Sequence, residues 1–251
     1  MAKGVELVKQ YSQEISREED VDGWRWYKGP DGRKYASVTN ILSCIQHSRL
    51  QNWWKKHGPK AIEKKTKRAR DLGSADHDAL ETYIRRGEVT QGHEDFIQAW
   101  SGFALEEGII PIHSELMVFS PTLGVAGTID IVGTIKGKPS IMDLKTGRFF
   151  GVKAGWQIAA YKYLFEELTA QAGFGMAGIH SRRVDSPAIT NPQEKFDIKL
   201  FQYVHMEFCL RRFLCVFEAW KGLYFSKLKQ MEWPWLHSYS AEEKFRERTI
   251  S

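Results

Sequence analysis

The run SELMVFSPTLGVAGTIDIVGTIKGKPSIMDLKTG, residues 114–147, decides how this chain reads. Leu116 to Phe119 has the character of a strand, Ser120-Pro121-Thr122-Leu123-Gly124 that of a turn, and Val125 to Ile135 resumes with Ile129, Ile131 and Val132. Lys136-Gly137-Lys138-Pro139 then reverses the chain into a third strand, Ser140 to Leu144. Side chains alternate faces along a strand, so Asp143 and Lys145, two apart, share a side. Three antiparallel strands bring Glu115, Asp130 and Asp143 within reach of one another if the register allows. Any one of these acids alone reads as a solvated strand residue. Acids and a lysine converging on one face are costly in a core, because buried charges must be paired or bind a metal. Their joint occurrence, with Asp-Leu-Lys-Thr-Gly closing an apolar strand, is the pattern expected of a metal-dependent phosphodiesterase site.

Residues on either side add candidates. Val152 to Glu167 reads as a helix whose buried face carries Ile158, Tyr161, Leu164, Phe165 and Leu168. Tyr161 therefore reads either as core or as part of the site. Gln157, one turn earlier, is an amide beside an apolar stripe and needs a partner; it is expected to orient the site or touch the substrate. Upstream, Asp71-Leu72-Gly73-Ser74 looks like the start of a helix that carries His77 and Glu81, four apart. Directly before it lie Lys55-Lys56-His57, Lys60 and the basic residues Lys64, Lys65, Lys67, Arg68 and Arg70. Such a run is a solvated face in most proteins, but here it adjoins the acidic cluster, where it suits contact with phosphates. Trp53-Trp54 would stack bases or pack into the core. Arg182-Arg183 and Arg211-Arg212 are further candidates for backbone contacts.

Taken in order, these pieces resemble the PD-(D/E)XK nuclease superfamily, and within it the RecB-like exonucleases of the phage and mitochondrial genome maintenance type. Gly73-Ser74-Ala75-Asp76-His77 matches Gly-x-x-x-His, Glu115 an acidic strand residue, and Gly127-Thr128-Ile129-Asp130 matches Gly-x-x-Asp. Asp143-Leu144-Lys145-Thr146 matches Asp-x-Lys-Thr and Gln157-Ile158-Ala159-Ala160-Tyr161 matches Gln-x-x-x-Tyr. Ala36-Ser37-Val38-Thr39-Asn40-Ile41-Leu42 looks like the Ser-Val-Thr opening of the same proteins. Ile129 stands where the superfamily's name places proline. The ordered series runs through roughly residues 35–165, which is more specific than any single motif.

The resemblance implies a Mg²⁺ or Mn²⁺ site built by Asp130, Asp143 and the backbone carbonyl of Leu144, and hard cations do prefer oxygen ligands. His77 would be a ligand or a phosphate contact, and Glu115 a direct or indirect metal partner; the plain alternatives are a surface histidine and an exposed strand carboxylate. Lys145 would hold the attacking water and the phosphate, and a neighbouring cation could lower its pKa enough to make it a base. Gln157 would orient the site, while Tyr161 and Thr146 join the basic residues in contacting DNA.

The net charge of +5 is only mildly basic for 251 residues. Three cysteines, Cys44, Cys209 and Cys215, are too few for an iron–sulfur cluster, which takes four thiolates; their scatter fits a reducing compartment. Met1 to Asp20 lacks the apolar core of a secretory signal, and no apolar run approaches the ~20 residues that span a bilayer. The expected location is cytoplasmic, in a bacterial or phage-infected cell, with no membrane partner. Residues 1–23 read as a polar segment, 24–229 as one nuclease domain and 230–251 as a tail that either docks or frays. Within the domain, 24–110 would be a hairpin, turning at Gly29-Pro30-Asp31-Gly32, plus a helical subregion. Residues 111–202 form the catalytic core, with later strands near 176–182 and 195–202, and 203–229 a long helix. The fold class expected is α/β, a mixed central sheet flanked by helices as in restriction endonucleases.

These readings converge on a Mg²⁺/Mn²⁺-dependent DNA exonuclease that acts on free DNA ends in recombination, repair or phage DNA processing, with phage or host recombination proteins as possible partners. A structure-specific or site-specific endonuclease would use the same core. A DNA-binding accessory protein without turnover is the non-enzymatic alternative, and an intact Asp-x-Lys with its upstream Asp argues against it.

Overall fold

A computed structural model describes residues 2–20, 23–45, 59–146, 151–184 and 191–236, and the side chains of residues 59–70 lie outside that description. Among the described residues, eight strands form one mixed sheet: β1 (Ser16–Glu19), β2 (Arg25–Lys28), β3 (Lys34–Ser37), β4 (Ile109–Ser120), β5 (Val125–Ile135), β6 (Lys138–Lys145), β7 (Gly175–Arg183) and β8 (Phe196–Gln202). The spatial order is β1-β2-β3-β5-β6-β7-β8, with β4 paired to β5 outside that path. The antiparallel β4-β5-β6 meander is the one read from residues 114–147, and the helical crossover from β6 makes β7 parallel to it.

The helices are α1 (Ala2–Glu14), α2 (Val38–Ser43), α3 (Pro59–Arg86), α4 (Glu94–Glu107), α5 (Val152–Thr169), α6 (Met206–Leu223) and α7 (Phe225–Gln230). Alternation along β6 divides the core into two layers. Ile141 joins a cluster with Val8, Ile41, Ile158, Leu164, Phe213 and Phe217, contributed by α1, α2, α5 and α6. Met142 and Leu144 join Leu80, Phe96 and Trp100 of α3 and α4 on the other face. Helix α4 begins with Glu94 and Asp95, which complement its dipole, and ends at Gly108 in the left-handed region.

Several expectations change at the edges. Residues 2–19 are not a separate polar segment: Val8 and Ile15 are in the core, and Tyr11 packs edge-on against Phe119 with ring centroids 6.0 Å apart. Val8 and Tyr11 on α1, with Ile15 just past its end, dock this segment against the core. Helix α3 starts at Pro59 rather than near Asp71, because Gly73-Ser74 lies within a helix held by its flanks. The long helix expected over 203–229 breaks at Tyr224 into α6 and α7. Past α7 the chain docks: Trp233 and Trp235 are buried and donate to the carbonyls of Lys34 (3.1 Å) and Pro121 (2.9 Å). Burial on that scale stabilises by roughly 2–3 kcal/mol per large side chain. Residues 237–251, and Trp53-Trp54 with Lys55-Lys56-His57, lie outside the described residues. Among the described residues no helix is long and apolar enough to cross a membrane.

Candidate active site

Strand register opens a gap in the sheet, and the gap holds the site. One edge of β5 is covered by β4 from end to end. Its other edge is shared: β3 pairs only at Val125 and Ala126, and β6 only from Ile131 to Ile135. Gly127 to Asp130 therefore face no strand on that side, and β6 runs on to Lys145 paired with β7 alone. A backbone N–H exposed by such a fork needs another acceptor. Asp130 supplies it, its Oδ2 accepting from the Leu144 N–H at 2.7 Å. The ring of Tyr161 fills the space over Gly127, where an added Cβ would stand 2.3 Å from Cε1. Only glycine permits that approach.

From the α3 layer, His77 reaches the gap. The pairings Ser114–Ile131 and Leu116–Ile129 place Glu115 opposite Asp130, although these two make no regular pair. Glu115 has φ 50°, a left-handed conformation in mid-strand. For a residue with a side chain this costs on the order of 1–3 kcal/mol, strain of the kind that collects at functional sites. One ligand atom from each of His77, Glu115 and Asp130 lies within 4.8 Å of the others, and His77 Nδ1 stands 3.7 Å from Asp130 Oδ2. Burial, then repulsion from Asp130 and Glu81, pushes the Glu115 carboxyl up to about 8. Two carboxylates and an imidazole, one acid being desolvated beside the other, fit a divalent cation, which would supply the missing positive charge. Glu81 itself pairs with Arg85 at 2.9 Å.

Asp143 belongs to the other layer. Fully buried, it sits 2.6 Å through Oδ2 from Lys145 Nζ, and its Oδ1 accepts from Gln157 Nε2 at 3.1 Å. Burial pushes its carboxyl up to about 6, against the pull of Lys145. Burial would lower Lys145, but the Asp143 and Asp130 carboxylates outweigh it and hold the ammonium above its ordinary value. Gln157 Nε2 also donates to the Tyr161 hydroxyl at 2.9 Å, so the amide has its partners within the protein. Tyr161 is buried (3% exposed), and burial raises its hydroxyl well above the usual range. Contact with DNA, expected from sequence, is closed to it; it braces Gln157 instead.

The structure thus brings together His77, Glu115, Asp130, Asp143 and Lys145, but in two groups. Leu144 contributes its N–H to Asp130. Thr146 lies against α3 at Gly73, where a Cβ would meet Thr146 Oγ1 at 2.9 Å, so the glycine of Gly-x-x-x-His lets the His77 helix close on the end of β6. The side chains of Lys64, Lys65, Lys67, Arg68 and Arg70 lie outside the described ones, on the first half of α3. Arg182 pairs with Asp197 at 3.2 Å, and Arg212 covers the Phe208 ring. Cys215 is exposed and Cys209 is buried.

Sequence reasoning missed Asp76. It is buried (7% exposed), 3.1 Å from His93 Nδ1 on the N-terminal side of α4 and 3.8 Å from Arg183 on β7. One residue before His77, it ties α3 to two other elements. Asp76 was visible in the sequence only as the variable position before the motif histidine.

A family comparison falls on the strands and helices that build this site. The PD-(D/E)XK nuclease superfamily matches residues 94–212, from the start of α4 into α6, which includes Glu115, Asp130, Asp143, Lys145 and Gln157 but not His77. Among solved structures, the chain is similar to an alkaline exonuclease (LHK-Exo) from Laribacter hongkongensis, with 13% identity, a TM-score of 0.31, and 79% of this chain and 94% of that one covered. LHK-Exo in complex with dAMP gives 13% identity and a TM-score of 0.29, over 78% and 94%. No curated protein matches the chain. The acids and lysine at the forked strands of this mixed, helix-flanked sheet thus lie in a segment that is similar to the PD-(D/E)XK nuclease superfamily.

Proposed function

We propose that this protein is a Mg²⁺- or Mn²⁺-dependent deoxyribonuclease of the RecB-like branch that hydrolyses DNA from its ends. The observation that carries the reading is the convergence of His77, Glu115 and Asp130 within 4.8 Å beside the Asp143–Lys145 pair. His77, Glu115 and Asp130 would hold the divalent ion, with Asp143 and the Leu144 carbonyl at the same fork. Such an ion, when bound, stabilises charge on the phosphoryl oxygens and lowers the pKa of water. The chain's own residues do the rest. Lys145, kept charged by its carboxylate neighbours, places an ammonium where a phosphate oxygen or the attacking water can meet it. Gln157 fixes the Asp143 carboxylate, and Tyr161 fixes Gln157. Asp130 links the centre to the backbone at Leu144.

Action on ends, and a role in recombination, repair or phage DNA processing, rests on the ordered motif series from Ser37-Val38-Thr39 to Gln157 and Tyr161. Digestion of matched linear and covalently closed circular DNA, labelled at either end, tests it with Mg²⁺, Mn²⁺ or EDTA. Metal-dependent loss of linear DNA alone, absent in Lys145→Ala, is the expected result. Cutting of circles makes the protein an endonuclease, and binding without cutting makes it an accessory protein.

A further inference from the structure

Glu115 faces two spaces. On one side is the narrow opening it shares with His77 and Asp130. On the other, a cleft of about 560 Å³ runs between α1, the C-terminal end of α3 and β4, and Glu115 lines both. That volume falls within the ~300–1,000 Å³ range of small-molecule sites.

The cleft's chemistry is not that of an anion trap. Its cations are already matched: Lys9 stands 3.8 Å from Glu6, and Arg85 pairs with Glu81 at 2.9 Å while donating to the Ser114 carbonyl at 3.2 Å. Its apolar lining comes from both core layers, Ile84 from one and Leu116 and Met117 from the other, together with Ile112, which is left 43% exposed. Facing groups can donate and accept: Gln13, the Ser12 hydroxyl and His113. His113 Nε2 is buried with no hydrogen-bond partner. An apolar lining with mixed donors and acceptors suits a flat ring with a polar edge.

We infer that the cleft between α1, α3 and β4 is a nucleoside subsite, which seats the base and sugar next to the phosphate held at His77, Glu115 and Asp130. This rests on the nuclease reading above and adds where one nucleotide of the strand lies. In this arrangement the phosphate stays on the metal side of Glu115 and the base enters between Ile112 and Met117. The released mononucleotide leaves from the same place, so free nucleotide and DNA compete for it.

The test is calorimetric binding of 2′-deoxyadenosine 5′- and 3′-monophosphates to the Mg²⁺-loaded protein, alongside KM for a single-stranded oligonucleotide. Ile112→Trp fills the cleft and Lys9→Glu alters its rim; neither touches the proposed metal ligands. Both should weaken binding of one monophosphate, Ile112→Trp by tenfold or more, and raise KM with little change in kcat. Should Ile112→Trp fail to fold, Lys9→Glu and Gln13→Ala decide. Unchanged affinity and KM in folded variants would overturn the subsite while leaving the nuclease reading intact. A wild-type protein that cuts nothing overturns the nuclease reading, and nucleotide binding still decides the cleft. Binding of free monophosphate without any effect on oligonucleotide KM also overturns it, since the cleft would then lie off the strand's path.

Discussion

The two sides of the gap in the sheet handle negative charge in opposite ways. On the α5 side, Asp143 is enclosed and matched: Lys145 stands 2.6 Å away and Gln157 donates at 3.1 Å, itself held by Tyr161. On the α3 side, Glu115 and Asp130 face each other beside His77, and although Arg17 and Lys145 offset part of the repulsion, the Glu115 carboxyl is pushed up to about 8. The first is a finished structure that fixes geometry. The second leaves negative charge in excess among the described residues and suits a cation. A site of this kind separates the residues that position from those that bind.

The largest effects should come from changes that strip charge without disturbing shape. Asp130→Asn keeps an oxygen that can accept from Leu144 but removes the negative charge. Hydrolysis should fall by about 10³-fold or more, with Tm close to that of the native protein. Lys145→Ala should match it in activity. Near-native turnover in either variant would remove the assignment.

The pH dependence of stability separates the two sides next. Glu115 is raised from 4.5 to about 8 and Asp143 from 3.8 to about 6, so the folded protein holds these protons more tightly than the unfolded chain. Their contribution is fully present below about pH 4 and is lost as pH rises, through about 6 for Asp143 and through about 8 for Glu115. Denaturant unfolding without divalent metal should lose on the order of a few kcal/mol between pH 5 and 8.5. Glu115→Gln should remove the loss above pH 6 and reduce the loss between about pH 4.5 and 6 to the share that Asp143 contributes. Saturating Mg²⁺ should reverse the loss in the native protein alone.

Asp76→Ala tests whether the His77 helix is positioned from behind. Removing one partner from this buried cluster should cost roughly 1–3 kcal/mol and weaken Mn²⁺ binding, while Asp76→Asn recovers part of both. An equal loss of stability with unchanged metal affinity would make Asp76 structural only. The smallest effect belongs to Tyr161→Phe, which removes one hydrogen bond worth about 1 kcal/mol. It should lower kcat several-fold with KM unchanged; a rise in KM alone would return Tyr161 to the substrate.

How legible all this was depends on range. Residues 114–147 announce their strands because apolar runs and turn residues alternate over short distances, and the face shared by Asp143 and Lys145 follows from a period of two. The fork that leaves Gly127 to Asp130 unpaired is not local: it arises because β3, some ninety residues earlier, and β6 divide one edge of β5. Sequence could therefore name Asp130 and Asp143 but not place them in different groups. The motif glycines carried more than they showed, since Gly73 and Gly127 are needed for Thr146 and Tyr161, partners known only after folding. Asp76 was hidden for the same reason, its partners His93 and Arg183 lying on other elements. Helix α1 was obscured by its polar composition, with Val8 and Tyr11 its main apolar contacts.

The most direct test of the central claim is Mn²⁺ binding at pH 8 by isothermal titration calorimetry, comparing the native protein with Asp130→Asn, Glu115→Gln and His77→Ala. Binding should be lost or weakened by at least tenfold in the two carboxylate variants and reduced in the histidine variant, with all three still folded. Native affinity in Asp130→Asn and Glu115→Gln together would contradict it, because the unmatched carboxylates at the gap would then not be a metal site.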